Sequence, residues 1–404
     1  MGRVNPSRGL PPAAFRRDAR AKRAKATINE DIPALLKSHA RARKGVETAQ
    51  LIPDPPMWRS SVPAAENAST NASKPPDDAV SDSGSHSSQT PNIAQQHQHP
   101  QVTLQMCDTL QAAHRLVSLN RGLRGKKSKV AVLNLASPLR PGGGFLTGAT
   151  AQEESLCMRT TLYPSLRESF YRLPEVGCVY TSDVLVFRGW GDGYPDLPRE
   201  ERFFIDVVTA GMIRLPDVEG GGDAGDEKRY AEPKDREMAE RKMRGVLRVL
   251  MMKGVRSVVL GAWGCGAYGN PVGEIARLWR KVLLGGTGGA GKKAGGSVKD
   301  ECWGPMNVVF AISDASMARH FARAFGPELV VDDAVKEDEV DDEGDEGLGE
   351  IREKITELEI QVNQTRNLGL KTRLEAVLAD LKRTIRVVWG RILTLTQPTY
   401  EDIG

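Results

Sequence analysis

The chain of 404 residues carries 56 basic and 52 acidic residues, a formal net charge of +4. So small an excess argues against a protein whose whole surface is built to bind nucleic acid or a membrane. Five scattered cysteines show neither a metal-binding spacing nor a disulfide framework, which fits a reducing compartment. No apolar run approaches transmembrane length, and no signal-peptide core follows the basic N-terminus. We therefore expect an intracellular protein, nuclear or cytoplasmic, with no membrane partner.

The N-terminal segment, residues 1–59, is basic and shows a helical pattern over about 13–48. Its arginines and lysines cluster between positions 16 and 25. Such a cluster fits either a nuclear-localisation or polyanion-binding patch or the solvated face of a helix. Residues 60–100 are then rich in Ser, Asn, Pro, Gln and His and nearly free of aromatic residues. Because such a segment buries too little apolar area to offset the entropy cost of ordering, it is predicted to be a disordered insertion.

Residues 101–330 alternate between apolar strand patterns and helical patterns. The predicted strands are Val102–Leu104, Val130–Leu133, Val179–Phe187, Phe203–Val208, Ser257–Leu260 and Asn307–Ile312. The predicted helices between and after them are Thr109–Leu119, Gln152–Leu162, Arg236–Lys253 and Ala315–Phe325. This alternation predicts an α/β domain of three layers, α/β/α, around a mixed or mainly parallel sheet. Glycine-rich, charged stretches at 217–235 and 284–300 are predicted to be flexible inserts.

The first informative motif follows the strand that begins at Val130. Gly142, Gly143 and Gly144 come after it, and seven residues later Gln152, Glu153 and Glu154 open a helix. Consecutive glycines allow positive φ angles and bring backbone N–H groups close to a ligand. A purely structural interpretation is also available, because Thr150 and Glu153 fit a capping box and acidic residues stabilise a first helical turn.

The second informative motif is the glycine loop that follows the strand Ser257–Leu260. It contains Gly264, Cys265, Gly266, Ala267, Tyr268, Gly269 and Asn270. Asn270 suits the N-cap of the next helix and Pro271 its first position. A strand, a glycine loop and a helix start can bind phosphate through backbone amides and the helix dipole. A tight structural turn is the alternative.

The first motif, with its surrounding residues, resembles the signature of the microbial-type poly(ADP-ribose) glycohydrolases of the macrodomain superfamily. The resemblance implies a macrodomain-like fold with Glu154 as the catalytic residue and Glu153 and Gln152 supporting it. It also implies substrate contacts from Asn134, from Gln152 and from the glycines Gly142, Gly143 and Gly144. The second loop, through Gly264, Cys265, Gly266, Ala267, Tyr268 and Asn270, would wrap the diphosphate of ADP-ribose. Tyr268 stands where the family usually has Phe packed over the distal ribose.

Two adjacent glutamates limit the chemistry that the site can perform. Neighbouring helical residues point about 100° apart, so the pair cannot flank a sugar as separate acid and base. One carboxylate can act twice, protonating the leaving oxygen and then deprotonating water. The resemblance implies that Glu154 does so at the ribose–ribose O-glycosidic bonds of poly(ADP-ribose), without a metal or cofactor. The expected partners are poly(ADP-ribose) or ADP-ribosylated proteins, with no base-specific contact to nucleic acid.

Two other functions fit the same motifs. A hydrolase acting on mono-ADP-ribosylated protein or nucleic acid would bind the same distal ADP-ribose. A non-catalytic macrodomain would bind ADP-ribose without cleaving it, although such a binding module has no need of two adjacent glutamates.

The C-terminal part begins with an acidic run at 331–347, predicted to be a solvated linker. Residues 348–404 then show apolar residues at three-and-four spacing on both sides of Asn367 and Gly369. This pattern predicts a helical hairpin or a short coiled coil. Such an extension could self-associate through 348–390, act as a scaffold, or fold back on the catalytic domain.

Overall fold

A computed structural model gives the architecture of most of the chain. The described residues are 13–58, 99–122, 128–191, 193–220, 227–285, 301–332 and 367–395, with isolated positions at 355, 358, 359, 361 and 362. The predicted disordered insertion at 60–100 lies outside the described residues except for its last two positions. The insert at 284–300 and the acidic linker at 331–347 lie outside them except for their first two positions.

Eight of the described strands form one mixed sheet, and two short strands pair separately. In chain order the strands are β1 (Gln50–Ile52), β2 (Gln101–Gln105), β3 (Val130–Leu135), β4 (Cys178–Val186), β5 (Phe203–Ala210), β6 (Val218–Glu219), β7 (Arg229–Tyr230), β8 (Ser257–Leu260), β9 (Asn307–Ala311) and β10 (Val330–Val331). The order across the large sheet is β1-β4-β5-β3-β8-β9-β2-β10. Along this order, the first two pairs, β1–β4 and β4–β5, are antiparallel. The remaining pairs, β5–β3, β3–β8, β8–β9, β9–β2 and β2–β10, are parallel.

Helices cover both faces of this sheet. In chain order they are α1 (Ala13–Ala26), α2 (Ile32–Ser38), α3 (Ala40–Glu47), α4 (Thr109–Gly122), α5 (Gln152–Arg159), α6 (Pro233–Met252), α7 (Val272–Leu284), α8 (Ala315–Phe325) and α9 (Leu368–Leu395). A π-helical turn at Thr27–Asp31 joins α1 to α2. The prediction of a three-layer α/β/α fold with a mixed sheet is confirmed.

Alternate residues of the central strands divide the core into two layers. In β3, Ala131 and Leu133 pack with α6, α7 and α8 on one face. Val130 and Val132 pack with α1, α4 and α5 on the other. Because β3 is buried on both faces, its sequence is a continuous apolar run rather than an alternation of apolar and polar residues.

The parallel strands place their carboxyl ends at one edge of the sheet. β3 and β8 are neighbours there, so the segment after β3 and the glycine loop after β8 meet at that edge. Ligands bind in this position in open α/β sheets. The fold therefore brings together the two motifs of the sequence, which lie more than 100 residues apart.

The predicted flexible insert at 217–235 is shorter in the structure. β6 pairs antiparallel with β7, and α6 begins at Pro233 rather than at Arg236. Proline is well suited to the first position of a helix because its missing N–H has no partner there anyway. Only 221–226 of this segment lie outside the described residues.

Helix α9 packs against the α/β domain. A small apolar cluster joins Leu374, Leu358 and Val362 of the extension to Leu215, which follows β5. Arg373 forms a 2.7 Å ion pair with Asp217, and Lys228 forms one of 2.6 Å with Asp380. Of the two arrangements left open by the sequence, the structure shows the extension folded back on the domain. Self-association through 348–390 stays a prediction.

Within the described part of the chain, no helix combines the length and the apolar character needed to cross a bilayer.

We predict that Leu374→Asp releases α9 from the domain, because a charge cannot be buried against Leu215 without a partner. Burying a leucine contributes about 2 kcal/mol, so cleavage of α9 by a dilute protease should become roughly tenfold faster or more. Ala376→Asp, on the exposed side of the same helix, is the matched control and should change the rate little. Equal cleavage rates in both variants would contradict this packing.

Candidate active site

Gln152 fixes helix α5 to the end of β3. Its Oε1 accepts from Leu135 N–H at 2.9 Å, and its Nε2 donates to Leu133 carbonyl oxygen at 2.9 Å. The side chain thus continues the hydrogen bonding of the strand past the point where β8 pairing ends at Val132. In this structure Gln152 is a positioning residue, and a contact between it and substrate stays a prediction.

Glu153 is held by the segment immediately after β3. Its Oε2 accepts from Ser137 N–H at 2.7 Å, and its Oε1 lies 3.5 Å from Asn134 Nδ2. The backbone of Gly142 also hydrogen-bonds to this carboxylate. With a residue exposure of 3%, Glu153 is a buried acid surrounded by backbone donors.

Glu154 binds the glycine loop directly. Its Oε1 accepts from Gly144 N–H at 2.6 Å, and the residue is 7% exposed. The two glutamates therefore take hydrogen bonds from different parts of one loop. The amides of Gly142 and Gly144 serve the carboxylates here, and their contact with substrate stays a prediction.

Gly143 is the position at which a side chain is least compatible with this arrangement. Its φ is +55°, and a Cβ there would lie 2.7 Å from Glu154 Oε1 and 2.8 Å from Glu153 Oε2. Both values are well below an ordinary contact distance. The glycine is thus required by the two carboxylates, which pack directly on the loop.

Burial is the main cause of the altered acidity of Glu153. It raises the pKa of this carboxyl to about 8, and the charge of the adjacent Glu154 raises it further, while the bonds from Ser137, Asn134 and Gly142 oppose the shift. Two carboxylates this close and this buried resist carrying two negative charges. The pair consequently keeps a proton near neutral pH, and that proton belongs to the pair rather than to one residue.

Asn134 lies beneath the pair, fully buried. Its Nδ2 donates to Thr209 Oγ1 of β5 at 3.2 Å, and its Oδ1 has no hydrogen-bond partner among the described residues. In this structure the Asn134 amide donates toward the Glu153 carboxylate, with Nδ2 lying 3.5 Å from Oε1. Its predicted contact with substrate stays a prediction.

The capping box suggested by Thr150 and Glu153 is wrong. Ala151 is the N-cap of α5, and no side chain within the described part of the chain caps this helix. Glu153 points instead toward the end of β3, where it accepts the hydrogen bond from Ser137. The acidic residues at the start of α5 therefore accept hydrogen bonds from the segment after β3 and do not form this cap.

Asn270 organises the second glycine loop in a way that differs from the prediction. Helix α7 begins at Val272 with Pro271 as its N-cap, so Asn270 is not the cap. Its Nδ2 donates to the carbonyl oxygens of Ile213 (2.8 Å) and Gly264 (3.1 Å), and its Oδ1 accepts from Tyr230 Oη at 2.8 Å. The buried amide ties the loop after β8 to the segment after β5.

Other residues of this loop are open to a ligand. Gly266 and Ala267 are exposed, whereas Cys265 is half-buried against the core and burial raises the pKa of its thiol. Gly264 has φ of +81°, and a Cβ there would lie 2.5 Å from Asn270 Nδ2, so the turn excludes larger residues. Exposed backbone amides in a tight loop before a helix suit a diphosphate.

Tyr268 connects the two motifs. Its hydroxyl hydrogen-bonds to the side chain of Ser137, whose own N–H donates to Glu153. Burial raises the pKa of Tyr268, and the charges of Glu153 and Glu154 act in the same direction. The structure thus brings the predicted diphosphate loop to the carboxylate pair through Ser137.

The N-terminal helix supports the site, and the sequence did not reveal this. Arg17 Nε donates to the Thr147 carbonyl oxygen at 2.9 Å, and Arg20 Nε to that of Gly148 at 2.8 Å. These carbonyls lie between the glycine loop and α5. Part of the basic cluster is therefore structural. The spacing of three between the two arginines was the signal available in the sequence.

Among the described residues, no three His, Cys, Asp or Glu side chains come together as possible metal ligands.

Comparison with protein families identifies the first motif. Residues 61–189 match the model of the microbial-type PARG catalytic domain, where PARG denotes poly(ADP-ribose) glycohydrolase. This match agrees with the resemblance seen in the sequence. The match covers about a third of the chain, includes the GGG and QEE residues, and ends before the second glycine loop.

Among the solved structures that resemble this chain, the first described here shows the same fold. Poly(ADP-ribose) glycohydrolase from Thermomonospora curvata is 23% identical, with a TM-score of 0.50, and covers 76% of this chain and 100% of its own. The glycohydrolase from Deinococcus radiodurans in complex with ADP-ribose is 28% identical, with a TM-score of 0.41, over 56% of this chain and 84% of its own. A comparison with curated protein sequences finds no match.

We predict that stability falls between about pH 5 and pH 8 in a way that depends on Glu153. Its pKa rises from 4.5 to about 8 on folding, so over this range the folded protein holds a proton that the unfolded chain has lost. Rising pH therefore favours unfolding, and Glu153→Gln should flatten the dependence of Tm on pH.

Glu168→Gln serves as the control, because this carboxylate is exposed on the segment that follows α5. It should leave the pH dependence of Tm as in the wild type. If Glu153→Gln and wild-type protein lose stability equally from pH 5 to pH 8, Glu153 does not carry this proton.

Proposed function

We propose that this protein hydrolyses the ribose–ribose O-glycosidic bonds of poly(ADP-ribose) and releases ADP-ribose. The observation that carries the proposal is the pair of buried adjacent carboxylates, Glu153 and Glu154, bonded to the glycine loop. The match of this segment to the microbial-type PARG catalytic domain supports the substrate assignment.

Glu154 acts as the general acid and then as the general base. It protonates the leaving ribose oxygen while positive charge develops at the anomeric carbon, and the C–O bond breaks. It then accepts a proton from the incoming water, whose oxygen forms the new bond to that carbon. One carboxylate suffices because it is regenerated in its protonated form at the end of the cycle.

Burial of the pair supplies the proton that the first step requires. An isolated exposed glutamate is ionised at neutral pH, since its ordinary pKa is about 4.3. In the pair, burial and mutual repulsion keep one proton bound, as the pKa of about 8 at Glu153 indicates. Glu153 also restricts its neighbour by holding Ser137 and the loop in place, and it is positioned to bind the ribose hydroxyls.

The second glycine loop holds the diphosphate of the same ADP-ribose unit. Gly266 and Ala267 are exposed in the loop that precedes α7. The Tyr268 ring would pack over the distal ribose. The negative charge of the diphosphate would help to stabilise the positive charge at the anomeric carbon. A non-catalytic ADP-ribose-binding module is disfavoured, because burying two adjacent carboxylates is costly and gives no advantage in binding an anionic ligand.

We predict that Glu154→Gln abolishes release of free ADP-ribose from purified, labelled poly(ADP-ribose), with a loss of about 100-fold or more. The amide cannot donate and recover a proton, whereas its shape still fits the site. Binding of ADP-ribose, measured by calorimetry, should persist.

Glu168→Gln again provides the matched control and should release ADP-ribose at the wild-type rate. Tight binding of ADP-ribose without hydrolysis by the wild-type protein would reject the proposal in favour of a binding module. Release from mono-ADP-ribosylated protein but not from the polymer would favour the second hydrolase function.

We further predict that Tyr268→Phe keeps ADP-ribose affinity within a few-fold, because the ring that packs on the ribose is retained. Tyr268→Ala should weaken affinity about tenfold or more, since it removes the aromatic surface. Calorimetric titration with ADP-ribose measures both. Equal losses in the two variants would assign the effect to the hydroxyl and its bond with Ser137.

A further inference from the structure

A cavity of about 470 Å³ lies at the edge of the sheet where β3 and β5 end, the same edge as the carboxylate pair. Its walls come from the segments after β3 and β5, from residues 173–175 and from the first half of α6. The lining residues are Pro138, Leu173, Pro174, Glu175, Met212, Ile213, Arg214, Lys234, Asp235, Met238 and Lys242. None of these residues was singled out as a site residue by its sequence pattern.

The cavity shares a wall with the active site. Pro138 directly follows Ser137, whose N–H donates to Glu153 at 2.7 Å. On another side the guanidinium of Arg214 lies 5.5 Å from the centroid of the Tyr268 ring. The Leu173 N–H donates to the Pro138 carbonyl oxygen at 2.9 Å, which joins two of the segments that line the cavity. A ligand that spans the carboxylate pair and this cavity would cross Ser137 and Pro138.

The charges around the cavity favour an anion. Lys242 is 7% exposed, and its Nζ donates to the Glu175 carbonyl oxygen. The Glu175 carboxylate is 3.8 Å from this ammonium but largely exposed to solvent. With Arg214 and Lys234 there are three cations against the two carboxylates Glu175 and Asp235. Lys234 also approaches Glu232 at 3.7 Å, in an exposed pair of little strength.

The remaining walls are apolar. Leu173, Met212, Ile213 and Met238 offer a surface on which a flat base can pack. The volume falls within the range of about 300–1,000 Å³ that is common for small-molecule sites. The apolar walls suit the adenine base of a nucleotide, and the cations at the margin suit its phosphates.

We propose that this cavity binds the adenosine diphosphate part of the ADP-ribose unit on the leaving side of the scissile bond. The inference rests on the proposed function, in which the distal unit already occupies the carboxylate pair and the second glycine loop. The leaving unit must then lie next to the pair, and the cavity is the adjacent space of suitable chemistry. The site would favour a polymer over a single ADP-ribose on a protein, which has no second unit.

The test measures binding of ADP-ribose and of a purified chain of two ADP-ribose units to protein carrying Glu154→Gln, which prevents turnover. The two-unit chain should bind about tenfold more tightly, as expected for one or two additional charged hydrogen bonds. Adding Lys234→Glu should remove this gain and leave the affinity for ADP-ribose within twofold. The gain should also decrease as salt is raised.

Arg241→Glu is the matched control, because Arg241 is an exposed cation on the same helix but does not line the cavity. It should preserve the gain. Lys242→Met gives a second test inside the cavity, with folding checked by Tm, and should also reduce the gain.

Equal affinities for the one-unit and two-unit ligands would overturn the proposal. So would an equal loss of affinity for both ligands in the Lys234→Glu variant, since the cavity would then hold the distal unit. The proposed function is tested separately by ADP-ribose release from polymer with Glu154 intact. Release without a two-unit gain therefore rejects the leaving-side site alone.

Discussion

The burial of two adjacent carboxylates against a glycine loop is the constraint on which the rest of the site depends. Removing an ionised carboxylate from water costs several kcal/mol unless hydrogen bonds replace the lost hydration. Here Ser137 N–H and the loop amides supply those bonds to Glu153, and Gly144 N–H supplies one to Glu154. The bonds are possible only because Gly143 has no side chain in the space that the carboxylates occupy.

This constraint explains how a buried carboxylate could donate a proton in the proposed reaction. Backbone donors favour the charged form, whereas burial and the second carboxylate favour the protonated form. At Glu153 burial and the second carboxylate have the larger effect, so its pKa is raised. A pair that holds one proton near neutral pH is prepared for acid catalysis followed by base catalysis. Without burial, which is the main cause of the raised pKa, the carboxylate would be ionised at neutral pH and would be a poor proton donor.

The sequence predicted the layers and the six strands β2, β3, β4, β5, β8 and β9, because these follow from local patterns. The apolar run at Val130 marks a strand buried on both faces, and Gly142 to Gly144 mark the loop that follows it. The role of Asn270 was mistaken for a cap, because its partners Ile213 and Tyr230 lie 40 or more residues away. The support from Arg17 was also invisible, since its partner Thr147 is 130 residues distant. Local pattern carries no information about such pairings.

Both glycine loops are thus held by contacts with the helices α1 and α9. Helix α1 binds the carbonyls between the glycine loop and α5 through Arg17 and Arg20. Helix α9 packs on Leu215, whose N–H donates to the Tyr268 carbonyl oxygen at 2.9 Å. A loop rich in glycine loses much conformational entropy when it is fixed, so its geometry depends on such external contacts. The arrangement of the site therefore depends on the terminal helices as well as on the sheet edge from which its loops emerge.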